Sequence, residues 1–263
     1  MVNPTVLDAE TKGFVDIVVG GDLWMVEKSL RDESTSPALL EAVACWTLDF
    51  GWQPSHHFAE CMRMSALMNK NQKAEVLACF ASADNWRFRK AVAANLAASP
   101  EILTALASDQ RVEVRSAALY NRSLPVEVIR RAWPGGSSSE FSPMVANPTT
   151  PSELLSEALE LINSRREFQG GCEEELLAGN LNAPADVLAK LSVSEKRMTR
   201  YAVADNPNTP AETLEMMAFR ISSSYPHNQF ETDALLENPN TPTEALLHLR
   251  RLHASQVVSD SHS

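Results

Sequence analysis

The sequence predicts an all-α fold made of stacked helical repeats, a solenoid, on three observations. Asparagine recurs at Asn95, Asn121, Asn147, Asn180, Asn206 and Asn238, at intervals of 26, 26, 33, 26 and 32 residues. A proline follows each one four or five positions later, at Pro100, Pro125, Pro151, Pro184, Pro210 and Pro242. Apolar residues at helical spacing lie on both sides of every such stretch. A fixed period of this length marks an array in which each unit buries its apolar face against its neighbours.

The segment before each asparagine carries paired apolar residues: Val92 and Ala93, Ala118 and Leu119, Val145 and Ala146, Leu177 and Ala178, Val203 and Ala204, Leu235 and Leu236. It reads as a first short helix. The segment after each proline repeats apolar residues at helical spacing, as in Leu154, Leu155, Ala158 and Leu159, or Leu214, Met217 and Ala218. It reads as a second helix with one buried stripe. Between them, Thr209, Pro210 and Glu212 predict a capping box: hydroxyl at the N-cap, proline at N1 and carboxylate at N3. Thr150-Pro151-x-Glu153 and Thr241-Pro242-x-Glu244 repeat it. Helices this short do not persist alone in water, so the units must stack.

SPALLEAVACW from Ser36 and QPSHHFAECMRM from Gln53 begin like second helices. Residues 1–83 are therefore expected to form an N-terminal helical cap with degraded repeats, its Trp24, Trp46 and Trp52 helping to cover the first repeat. The solenoid proper is expected over 84–250 and a disordered tail over 251–263.

DNWRFRKAVAANLAASPEILTALASD, DQRVEVRSAALYNRSLPVEVI, YAVADNPNTPAETLEMMA and ENPNTPTEALLHL resemble the leucine-rich repeat variant family. There, a basic residue, a short apolar helix, Asn-Pro-x-Thr-Pro and a leucine helix recur. The resemblance covers about 84–250 and implies a right-handed stack of alternating α- and 3₁₀-helices. A family member can carry an iron–sulfur cluster on clustered N-terminal cysteines. This chain lacks that motif, so the resemblance transfers no cofactor.

Composition narrows the function. Of 263 residues, 23 are Lys or Arg and 34 Asp or Glu, a net charge of −11. That disfavours a surface devoted throughout to a phosphate backbone and suits a basic protein partner. Cys45, Cys61, Cys79 and Cys172 form no C-x-x-C pair and are expected to be reduced core residues. MVNPTVLDAETKGF has no apolar signal core, and FVDIVVGGDLWMV is interrupted by charge and glycine, so a cytoplasmic protein without a membrane anchor is expected.

Arg89, Arg115 and Arg200 each stand six residues before a repeat asparagine. They read either as an anion-binding ladder, together with Arg87 and Arg111, or as ties between repeats through acids such as Asp84 and Asp109. From Asp84 to Arg131, eight basic residues face five acidic ones, so this segment could also grip nucleic acid or be a solvated face. His57 and Cys61 in HHFAEC are four apart, but zinc needs further ligands, so His56, His57 and Cys61 read as a polar helix face rather than a metal site. GGSSSEFS reads as a connection between repeats, and no catalytic motif is present. Two insertions, NSRREFQGGC (163–172) and SSSYPHNQF (222–230), follow second helices and should emerge along one edge. Their Arg165, Arg166, Phe168, Tyr225, His227 and Phe230 are the candidate partner-binding residues, against ordinary loop variation. The expected function is a non-enzymatic protein-binding scaffold without cofactor, its sharper form an immunity-type inhibitor of a basic toxin. A nucleic-acid-binding helical-repeat protein is the alternative.

Overall fold

In the computed structural model, the described residues are 9–20, 22–46, 55–133, 137–164, 171–221 and 229–260, with side chains to Leu252. Every regular element among them is an α-helix. The chain divides into two compact units, residues 1–131 and 132–263. The first contains α1 (Ala9–Val19), α2 (Leu23–Arg31), α3 (Pro37–Ala44), α4 (His56–Met68), α5 (Ala74–Phe80), α6 (Trp86–Ala94), α7 (Pro100–Leu106), α8 (Val112–Tyr120) and α9 (Val126–Ala132). The second contains α10 (Ser138–Ala146), α11 (Ser152–Ser164), α12 (Glu173–Gly179), α13 (Ala185–Leu191), α14 (Arg197–Asp205), α15 (Ala211–Arg220), α16 (Gln229–Glu237) and α17 (Thr243–Asp260).

Within each unit, helices alternate between two layers. First helices pack side by side, α2 on α4, α4 on α6 and α6 on α8 in one unit, and α10 on α12, α12 on α14 and α14 on α16 in the other. Second helices form the other layer, with α11 on α13 and α15 on α17. The stripes meet between the layers: in the second unit Val145, Leu155, Leu177, Leu188, Val203, Leu214, Leu235 and Leu249 belong to one continuous core. This is the helical-repeat stack that the spacing predicts.

The repeat asparagines hold the stack. Within each unit the buried asparagine donates through Nδ2 to two backbone carbonyls of the preceding pair, as from Asn95 to Leu67 and Asn69 (2.7 and 2.8 Å) and from Asn206 to Ala178 and Asn180 (2.7 and 3.0 Å). Its Oδ1 accepts the amide two residues on, at 2.7 Å from Ala97 and 2.9 Å from Asn208. Asn121, Asn180 and Asn238 repeat both sets of contacts. Asn69, which the proline spacing does not mark, makes the same bonds to Leu30 and Asp32. Only asparagine among short side chains supplies two amide hydrogens and an acceptor from one planar group.

Helix pairs of this design begin at Leu23. Asp32 takes the asparagine position of the first pair and accepts from the Ser34 amide at 2.8 Å. Hydrogen bonds from Ser34 hold its carboxyl below the usual carboxylate range. A carboxylate can fill the acceptor half of the rung but not the donor half.

Several expectations are corrected. QPSHHFAECMRM does not start a second helix: Ser55 caps α4, a first helix that ends at Asn69. Trp24 is 64% exposed rather than covering the stack, because the helical period sets it opposite buried Val26 and Leu30. Instead α1 lies on α2, with Phe14 and Val18 buried and Glu10 accepting the Ser36 amide at 2.8 Å. The stretch 251–260, expected as part of a tail, continues α17.

Thr209 does not cap α15: Pro210 occupies the N-cap, and the Thr209 hydroxyl points back to the Val203 carbonyl at 2.6 Å. Thr35, Thr150 and Thr241 do the same to Ser29, Met144 and Leu235. The threonine thus satisfies a carbonyl at the end of the first helix. Proline suits the N-cap because residues there have φ of −60 to −68°, whether Pro210, Pro184, Ser36 or Ser99. The 3₁₀ pattern is confined to single turns, such as the Asn95 amide to the Val92 carbonyl, while second helices close α-type bonds, as from Leu103 to Ser99.

Candidate functional site

The arginines fall into two sets by what they contact. Arg89 binds Asp109 through two contacts of 2.7 and 3.0 Å and donates to the carbonyls of Ala83 and Asp84. Arg115 donates to the carbonyls of Asp109 and Gln110, and Arg200 to those of Ser194 and Glu195. Each guanidinium therefore clamps the connection leading into its own first helix. Arg89 holds the Asp109 carboxyl below the usual range. Arg63, six residues before Asn69, was missed in the sequence for want of a proline after that asparagine. It donates to the Ala44 carbonyl and lies over the rings of Phe80 and Phe88.

Arg87 and Arg111 point elsewhere. Their guanidinium carbons lie 5.1 and 5.2 Å from the Trp86 ring centre, so two cations share one indole. Arg87 also approaches Glu60 at 3.7 Å.

In the second unit Arg200 reaches Glu231 at 2.9 Å, a carboxylate 1% exposed and also 3.4 Å from Arg220. Glu173 holds the same place relative to Asn180 that Glu231 holds relative to Asn238. The arginine that would meet it is replaced by buried Phe141. One Glu173 oxygen accepts from Ser142 at 3.0 Å, and the other is buried without a hydrogen-bond partner.

Two adjoining depressions open near the C-terminal ends of α11, α13 and α15. One, of about 530 Å³, is lined by Val193, Glu215, Met216, Met217, Phe219 and Arg220. Val193 and Met216 are 65% and 58% exposed, and Phe219 stacks at 4.9 Å from His248. The other, of about 500 Å³, shares Val193 and adds Asn163, Glu174, Lys190, Glu195 and Lys196. Sequence reading chose the insertions and missed this floor, although Met216 and Phe219 in AETLEMMAFR lie off the buried stripe of α15 and are three apart, a readable sign of a second apolar face.

Of the sequence-predicted partner residues, Phe230 stands exposed in the first turn of α16, while Arg165, Arg166, Phe168, Tyr225 and His227 lie outside the described residues. His57 and Cys61 approach to 3.8 Å, and no group of three possible metal ligands occurs among the described residues. The cysteines are free; Cys45, Cys79 and Cys172 are exposed rather than in the core, because each lies off its helix's buried stripe or at a helix end. Partial desolvation of the sulfur, with a nearby carboxylate adding to it, raises the thiol pKa of Cys45 despite the residue's exposure, and likewise that of Cys61, which disfavours the reactive thiolate.

Among the described residues no helix is long and apolar enough to cross a membrane. No protein-family model matches the chain, and no curated relative matches it. A solved structure described as a leucine-rich repeat variant with a novel repetitive protein structural motif is similar at 17% identity and a TM-score of 0.44. The similarity covers 84% of this chain and 88% of that one.

Proposed function

We propose that this protein is a non-enzymatic, cytoplasmic scaffold that binds another protein through the second unit. The observation carrying this reading is the division of labour among its side chains. Asparagine, threonine and the arginines of the connections are committed to joining helix pairs, while Val193, Met216 and Phe219 stay exposed around one depression. Large apolar side chains gathered at a surface hollow are the usual anchor points of protein interfaces.

Net charge narrows the partner to a basic surface, and an immunity-type inhibitor of a basic toxin is the sharper form of the reading. Crosslinking and capture with the purified chain, followed by reconstitution with each recovered protein, test it. A stoichiometric complex with a basic protein is expected. A chain that recovers no partner but turns over a substrate overturns the scaffold reading, and failure to protect cells from any basic toxin among its partners overturns the inhibitor form.

A nucleic-acid-binding role has one observation in its favour, the pair of guanidinium groups on Trp86. Such a role requires a salt-dependent DNA or RNA shift that Arg87→Glu with Arg111→Glu abolishes. No shift at low salt removes it.

A further inference from the structure

We infer that the two depressions around Val193 form one docking groove for an amphipathic segment of a partner protein, with a large apolar side chain as anchor and lysine or arginine beside it. The inference rests on the scaffold reading and assigns it a site and a partner chemistry.

The apolar part follows from the lining. Val193 leaves the end of α13 exposed, and Met216 and Phe219 rise from α15 one turn apart, so they bound the hollow from two adjoining repeats. Met217, beside Met216 in sequence, faces the core and closes the floor. Methionine side chains bend to fit varied anchors, which suits a peptide-binding hollow.

The charge follows from which ionic groups already have partners. Every cation lining the groove is engaged: Lys190 with Asp186 at 3.1 Å, Lys196 with Glu174 at 3.2 Å, and Arg220 with Glu231 at 3.4 Å and the Ser192 carbonyl at 2.7 Å. Among the lining carboxylates, Glu174 is held by Lys196 and by the Ser194 hydroxyl at 2.6 Å. Glu215 of the apolar hollow and Glu195 of its neighbour have no ion pair among the described residues. Arg220 shares Glu231 with Arg200, which leaves one positive charge there against the two negative charges of Glu195 and Glu215; among the described residues the balance along the groove is thus negative, and an occupant bearing cations completes it. Another acidic chain, a second copy included, would add like charge there.

The test uses the full chain and a labelled amphipathic peptide of leucine, alanine and lysine. Fluorescence anisotropy gives affinity, and amide chemical shifts locate the contact. The expected result is shift changes centred on Val193, Met216 and Phe219. Met216→Asp should weaken binding at least about tenfold, although it adds negative charge that attracts the lysines, because it removes apolar contact. Glu195→Lys with Glu215→Lys should weaken it comparably, and Leu96→Asp, an exposed change in the first unit, should leave it unaltered. Thermal melts confirm that each variant folds. Shifts centred elsewhere, unchanged affinity in Met216→Asp, or equal binding of a peptide with glutamate for lysine would each overturn the inference. A natural partner captured equally by the wild-type chain and Met216→Asp also overturns the groove while leaving the scaffold standing; absence of any partner strikes the scaffold itself.

Discussion

The two units use the same asparagine rung but differ in what surrounds it. Residues 1–131 hold 14 basic and 16 acidic residues, and residues 132–263 hold 9 and 18, so the first unit has a charge of −2 and the second −9. In the first, Arg63, Arg89 and Arg115 stand six residues before their asparagines; in the second that position holds Phe141, Glu174, Arg200 and Thr232. The rung is unaffected: Asn180 and Asn238, each after a lengthened interval, keep carbonyl contacts of 2.7 to 3.0 Å. Stacking is therefore set at the turn, and the opposite edge is released to vary. The second unit uses that freedom for insertions, unpaired acids and the apolar hollow.

The largest expected effect is at the rung itself. Asn206→Asp keeps size and shape but turns a donor toward two buried carbonyls into an acceptor. Orphaned buried groups cost about 1–3 kcal/mol each, so denaturant unfolding should show a loss of about 4 kcal/mol. Asp32→Asn, the reverse change at the first rung, should leave the unfolding midpoint nearly unmoved. Similar effects at both positions would break the distinction between an interior rung and a terminal one.

Next come the ion pairs that differ between units. Glu231→Gln leaves Arg200 beside a neutral partner and should cost about 3 kcal/mol, as for other broken buried pairs. Asp109→Asn in the first unit should cost less, about 2 kcal/mol, because Asp109 is less deeply buried, 9% exposed against 1%, and Glu231 meets Arg220 as well as Arg200. The folded-state pKa of Asp109 lies below its unfolded value. Its contribution is thus fully present above about pH 4 and is lost as pH falls through the folded pKa. Wild type and Asp109→Asn should therefore converge in stability toward acid, and a gap that does not narrow as pH falls below about 4 would contradict the pairing.

Much of this was legible because the repeat is punctuated by residues with narrow uses. Asparagine spacing gave the period, and the leucine stripes marked both layers. What spacing cannot carry is side-chain direction. Nothing in Asn-Pro-Asn-Thr-Pro says that the asparagine reaches back one pair, or that the threonine turns toward Val203 rather than Leu214. Proline fits both the N-cap and the first helical residue, so the register was open by one position. Asn69 escaped notice because no proline follows it at the repeat spacing, and Asp32, though Pro37 follows it just as Pro100 follows Asn95, because it is not an asparagine. The groove was hidden for another reason: its walls come from separate repeats, and each of Val193, Met216 and Phe219 alone is an ordinary exposed residue.

Glu173 gives a smaller effect than either ion pair and the sharpest comparison, since it occupies the place of Glu231 without an arginine to meet it. A buried carboxylate oxygen with no partner is a cost the fold carries, whereas the paired one is not. Glu173→Gln removes the charge and retains a group that can bond Ser142, so it should raise stability by about 1 kcal/mol. The same substitution at two equivalent positions should then move the unfolding midpoint in opposite directions. A loss at Glu173 equal to that at Glu231 would mean that the phenylalanine substitution at the arginine position had left the carboxylate as well served as before, and the contrast between paired and unpaired positions in the second unit would fall.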